Sequence, residues 1–139
     1  MHEKGQMTVE FAVAFPVLLA VALIAVNALT FMSECAAFDN EFRHLVRTYC
    51  TSFGHGQSIQ DATADVLAGL EQEFCADNLV VSLETESSYP GYTRFIGTID
   101  YYPTFFGASF RSSFLGVSLE PLKHQMSLTL DCYKPGVFI

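Results

Sequence analysis

Between Val9 and Met32 the chain carries 24 residues whose only charge is Glu10. At 1.5 Å per residue a helix of that length reaches about 36 Å, more than the roughly 30 Å of a bilayer's hydrocarbon core. A water-soluble fold would have to bury such a helix on every side, and the roughly one hundred residues that remain make only one small domain. The run therefore reads as a transmembrane helix. Two plainer readings stand beside it, a featureless single-pass anchor and a cleaved secretory signal. The signal fits less well. Only Lys4 supplies positive charge ahead of the run, the run exceeds an ordinary signal core, and Met32-Ser33-Glu34-Cys35 places Glu where a lipoprotein cleavage site wants a small residue.

A carboxylate inside a bilayer costs about 2.5–3.5 kcal/mol on insertion scales, so Glu10 needs a partner. Cleavage after Gly5 would make Gln6 the N-terminus and set its new α-amine about one helical turn from the Glu10 carboxylate. Within one chain the two charges compensate in part. Between staggered neighbours the amine of one subunit meets the carboxylate of the next, and a wrong stagger leaves both unpaired in a low dielectric. Pairing of this kind would set the register of a polymer.

The stretch Gly5-Gln6-Met7-Thr8-Val9-Glu10-Phe11-Ala12, followed by Pro16 and Val17-Leu18-Leu19, resembles the start of the TadE-like family. These are minor pilins or pseudopilins of the tight-adherence (Tad) pilus, a branch of the type IV pilus systems. Thr98-Ile99-Asp100-Tyr101-Tyr102-Pro103 is faintly similar to the strand-then-proline pattern in that family's C-terminal half. The resemblance implies a pilin-like fold, and cleavage between Gly5 and Gln6 by a prepilin peptidase. It also implies residence in the bacterial cytoplasmic membrane until extraction by a pilus assembly platform, and a part in building or initiating the filament with other pilin subunits. Under it Glu10 is the subunit-docking carboxylate. The expected organisation is a leader at 1–5, a transmembrane helix at 6–32 and an extracytoplasmic pilin-like α+β domain at 33–139. Pro16 lacks an amide proton, and membrane helices tolerate it; it is either a harmless kink or a bend that eases passage from bilayer to filament.

Past the run the apolar residues narrow to one stripe, Phe31, Cys35, Phe38, Phe42, Leu45 and Tyr49, with Glu34, Asp39, Glu41, Arg43 and Arg47 opposite. The pattern continues the helix to about Thr51. Its stripe packs on the chain's own domain or in a coiled coil with another pilin. Gly54-His55-Gly56 turns the chain, and Ser58 with Asp61 forms a capping box. A second helix is predicted from Ile59 to Phe74, its apolar face made by Ile59, Ala62, Val66, Leu67, Leu70 and Phe74. The short connection makes the two helices antiparallel neighbours. Strands are predicted at 79–86, 93–102 and 125–133, with Tyr89-Pro90-Gly91 turning between the first two. In the last strand Met126, Leu128, Leu130 and Cys132 alternate with Gln125, Ser127, Thr129 and Asp131. The expected fold is α+β: a long membrane-spanning helix extended into an antiparallel helical hairpin, packed on a small three-stranded antiparallel sheet.

Four cysteines beyond a membrane helix read as two disulfides in an oxidising compartment. Cys35 and Cys50 would lie about 22 Å apart on one helix, whereas a bridge needs Cα atoms within about 7 Å, so they do not pair with each other. An antiparallel hairpin returns Cys75 alongside Cys35. That favours Cys35–Cys75 with Cys50–Cys132 over the swapped pairing, free buried thiols being the other reading. Between Pro103 and Leu122, Phe105, Phe106, Phe110, Phe114 and Leu115 crowd one connection. They form a subunit interface patch or cover the edge of the sheet.

Little in the chain points to catalysis. His2, His44, His55 and His124 are dispersed, and no Cys-x2-Cys or His-x3-His pair gives metal-ligand spacing; Cys50, His55 and Cys75 come nearest to a zinc set. No phosphate-binding glycine loop, nucleophile elbow or acid pair stands out, and Asp100 beside Tyr101 reads as strand surface. Neither cofactor nor enzymatic activity is expected. The net charge is −8 and stays so when residues 1–5 are removed, since one Lys and one Glu leave together. With seven scattered basic residues, no nucleic-acid partner is expected. Two functions follow: a minor pilin or pseudopilin working through helix packing and charge pairing at Glu10, or a single-pass membrane-anchored extracellular binding or adhesion module. Gly5 and Glu10 separate them, because an ordinary anchor needs neither.

Overall fold

One helix, α1 (Glu3–Cys50), runs for 48 residues through both the apolar run and the amphipathic stripe. The computed structural model describes residues 3–51, 54, 56–89, 91–109, 116 and 119–132. Pro16 removes the amide that would donate to the Ala12 carbonyl, and α1 continues through it. Residues 5–22 are exposed without exception. An 18-residue window of mean hydropathy 2.6 in this helix is long and apolar enough to cross a membrane, and none of it is buried in the chain.

The second half of α1 carries the core. Phe38, Phe42, Val46 and Cys50 are wholly buried, a ridge in steps of four. Each such step advances about 40° around a helix, which moves the buried ridge off the expected stripe. Val46 and Cys50 take the inner positions, Leu45 is half-buried, and Tyr49 turns outward at 41% exposure.

α2 (Ile59–Glu73) begins at a complete capping box. The Ser58 hydroxyl accepts from the Asp61 amide at 3.2 Å, and the Asp61 carboxylate accepts from the Ser58 amide at 2.8 Å and from its hydroxyl at 2.7 Å. Those bonds to Ser58 hold the Asp61 carboxyl below its ordinary range. Ala62, Val66, Leu70 and Phe74 face inward. Leu45 reaches Gly69 while Phe38 meets Phe74 with ring centroids 5.7 Å apart, so α2 runs antiparallel to α1.

Five strands follow: β1 (Leu79–Tyr89), β2 (Tyr92–Tyr101), β3 (Thr104–Phe105), β4 (Ala108–Ser109) and β5 (Leu122–Asp131). The main sheet has the order β1-β2-β5 with both pairings antiparallel, and β3 and β4 form a separate two-stranded ribbon. Phe95, Ile99 and Tyr101 of the central strand are buried against the helices. Gly97 lies among them where α1 comes closest: a Cβ there would sit 2.8 Å from the Phe42 ring and 3.0 Å from Phe38. Its missing side chain lets both rings rest on the sheet.

The expected α+β arrangement of helical hairpin and three-stranded antiparallel sheet is present, with shifted strand ends. β1 extends to Tyr89, β2 starts at Tyr92, and β5 starts at Leu122 and stops at Asp131. Tyr133, and Pro90 of the β1–β2 turn, lie outside the described residues. The ribbon β3–β4 occupies what read as irregular connection. Phe106 (φ 48) and Gly107 (φ 82) are the two central residues of its turn. Both are left-handed, a geometry usually signalled by Asn-Gly or Asp-Gly. Phe-Gly conceals it. Phe110, Phe114 and Leu115 also lie outside the described residues.

Candidate functional site

Gly5, Gln6 and Glu10 occupy the exposed beginning of α1. Gln6 and Glu10 stand at i,i+4 on one face, about 6 Å apart. Glu10 has no ion pair among the described residues. With Val9, Val13, Ala14, Val17 and Leu18 it lines a shallow groove that is almost wholly apolar. The neighbouring Phe11 and Phe15 rings stack at 5.9 Å. A carboxylate in apolar surroundings is a cost unless something meets it, and none of the described residues forms an ion pair with it.

Asn27 joins the apolar rod to the packed domain. Its Oδ1 accepts from the Tyr101 hydroxyl at 3.0 Å and from the Thr104 amide at 2.8 Å; its Nδ2 donates to the Thr104 and Leu23 carbonyls, each at 2.9 Å. One side chain thus ties the end of β2 and the start of β3 to α1. A turn later Phe31 lies against the Tyr101 ring at 5.7 Å. Contacts between the rod and the packed domain accordingly begin at Leu23 and Asn27, before residue 33. Sequence reading passed over Asn27, although it is the only amide in the apolar run.

Farther along, Asp39 Oδ1 meets His124 Nε2 of β5 at 2.8 Å, and the imidazole packs edge-on to Phe38 with centroids 6.5 Å apart. Asp100, expected on the strand surface, keeps one buried carboxylate oxygen without a hydrogen bond. Its register neighbours are Val80 and Lys123. At the tip of the ribbon, Phe105 and Phe106 meet edge to face at 4.5 Å and are 38% and 76% exposed.

All four cysteines are free thiols in this structure, Cys50 and Cys132 buried, Cys35 partly buried and Cys75 exposed. Cys35 stands one turn before Asp39 on the side of α1 that faces β5. Glu34, Ala37 and Glu41, on the other side, line the cleft with Glu73, Phe74 and Ala76 at the end of α2. Cys75, just past the end of α2, is exposed. Cys50, the last residue of α1, and Cys132, just past β5, are buried neighbours. Burial, reinforced by Cys132, pushes the Cys50 thiol up to about 12. Burial also raises Cys132, against a hydrogen bond with the Thr93 side chain that lowers it.

Among the described residues no group of three or more His, Cys, Asp or Glu side chains could hold a metal ion; His55 lies outside them. No protein-family model, curated protein or solved structure matches the chain.

Proposed function

We propose that this protein is a membrane-held minor pilin or pseudopilin of a Tad-type pilus, working by assembly and not by catalysis. One observation carries the reading: the first half of α1 is a bare apolar rod bearing a lone carboxylate, continuous with a second half packed into its own domain. A plain anchor would need only the rod. Glu10 in its apolar groove, with position 6 one turn away, suits an intersubunit contact in which a processed amine neutralises the carboxylate. A prepilin peptidase cuts between Gly5 and Gln6, the outer domain stays beyond the cytoplasmic membrane, and the assembly platform draws the rod from lipid into a bundle of other pilin helices. Lipid tails and neighbouring helices are similarly apolar, so the transfer is driven by packing and charge matching.

The N-terminal mass of the chain recovered from membranes of a host with a Tad-type prepilin peptidase tests this. Loss of residues 1–5 is expected; an intact chain, or a cut near Ala28, sinks the proposal and leaves the tethered binding module. Once processing is established, Glu10→Ala should leave cleavage and outer-domain stability unchanged. It should lower incorporation into filaments at least about tenfold, because the amine is then buried without its counter-charge.

A further inference from the structure

The end of the outer domain nearest the apolar rod has features that helix packing does not use. Among the described residues, seven large apolar side chains are exposed on the outer domain: Tyr49, Val80, Tyr92, Phe105, Phe106, Leu119 and Leu122. The last four sit together at this end. Phe105, Leu119 and Leu122 join Leu23, Ile24 and Pro103 around an open, almost wholly apolar crevice of about 300 Å³ between α1 and the ribbon. Phe106 projects beyond it, 76% exposed.

Three observations identify what covers this patch. The first is height. Asn27 bonds Thr104 through both its amide and its carbonyl, so the ribbon leaves the helix at the end of the bare rod. Residues 5–26 span about 33 Å as a helix, close to the roughly 30 Å of a bilayer core; with the rod in a membrane, the ribbon lies at its outer surface. The second is charge. Residues 101–109 contain no Asp, Glu, Lys or Arg in a chain of net charge −8, and beside Leu119 and Leu122 the single acid Glu120 is offset by Lys123, so this end carries no net negative charge for an anionic surface to repel. The third is conformation. Phe106 is left-handed at φ 48, where Asn or Gly is the easy choice. A strained residue that is also aromatic and exposed is best explained by a contact outside the chain, and aromatic side chains concentrate at membrane–water interfaces.

We infer that the β3–β4 ribbon is a second membrane contact: Phe106, with Phe105, Leu119 and Leu122, dips into the interface of the outer leaflet and holds the outer domain against the bilayer. The partner is a lipid surface. This rests on the reading of the rod as a membrane span.

The chain has no tryptophan, so single substitutions give sole reporters. Full-length Phe106→Trp and, as a second reporter of the same patch, Leu119→Trp are reconstituted in phosphatidylethanolamine–phosphatidylglycerol vesicles brominated at shallow or deep acyl positions. Leu18→Trp reports the span. Phe106→Trp and Leu119→Trp are expected to shift to the blue and lose most of their emission to shallow bromines, while Leu18→Trp is quenched by deep ones. Water-like, unquenched emission from both patch reporters beside a quenched Leu18→Trp overturns the ribbon contact and leaves the span standing. An unquenched Leu18→Trp together with unquenched patch reporters overturns both, and assigns the failure to the span. A blue shift that disappears when the protein is diluted in excess lipid overturns the inference in favour of a second copy of the chain.

Discussion

The two halves of α1 obey the same local rules in opposite surroundings. From Phe11 to Val26 not one side chain is polar, and burial by the chain itself reaches only Leu23, and that in part. From Phe38 to Cys50 the helix is two-faced, with Phe38, Phe42, Val46 and Cys50 wholly buried and Asn40, Arg43, His44 and Arg47 outward. A helix that is apolar all round takes its stability from the medium, whereas one that is apolar on a single side takes it from its own domain. Packing within the chain and exposure to the medium are therefore separated along one rod, with Asn27 at the division. A substitution in one half should be silent in what the other half does.

The same residue type tests that separation most severely. Phe42→Ala empties a wholly buried site between α2 and the sheet, and should lower the stability of the packed domain by about 3–5 kcal/mol. Phe11→Ala, at a ring 68% exposed, should change it by less than about 0.5 kcal/mol. Denaturation midpoints of the full chain in detergent, followed by near-ultraviolet dichroism of the aromatic core, read both. Comparable losses would break the division.

A substitution at the division itself should act on both sides more mildly. Asn27→Leu keeps the volume and removes every bond to the Tyr101 hydroxyl and to the amide and carbonyl of Thr104. Leaving such groups unpaired costs about 1–3 kcal/mol. The Thr104 amide should then exchange with deuterium faster while amides in the middle of β2 stay protected. Unchanged exchange at Thr104 would move the joint elsewhere.

How far these features could be read from sequence follows the range of the forces involved. The capping box at Ser58 and Asp61, the inner face of α2 and the alternation in β5 are local patterns, and they were legible. Tyr49 was misplaced because a stripe in sequence does not show which way a helix crosses its partners. Gly97 gave no signal, since its importance lies in the Phe38 and Phe42 rings more than fifty residues away in the chain. The ribbon was hidden by Phe106 standing where Asn is usual. Of the site residues, Glu10 announces itself as a charge in an apolar run, whereas Asn27 carries no charge and discloses its role only when β2 and β3 arrive. The pairing of Cys35 with Cys75 was drawn from distance along a helical hairpin alone, and distance along an axis does not say which way a side chain turns: Cys35 is partly buried and Cys75 exposed.

The last contrast is silent at neutral pH and grows only in base. Cys50 closes the packed half, and burial with Cys132 beside it raises its thiol from the ordinary 9.0 to about 12. Between those values the unfolded chain has released this proton while the folded chain still holds it, so unfolding releases protons and stability must fall as pH rises. The contribution is complete below about pH 9 and is lost progressively towards about pH 12. Cys132, raised in the same direction, adds to the slope. Urea midpoints of the reduced full chain, taken at steps across this window, should decline steadily, and Cys50→Ala should flatten part of that decline whatever it does to the midpoint at neutral pH. Residues 11–26 hold no titratable side chain, so the helicity of the bare rod in detergent should not move over the same range. A slope untouched by Cys50→Ala would assign the alkaline sensitivity to other groups and remove the buried thiol from the account.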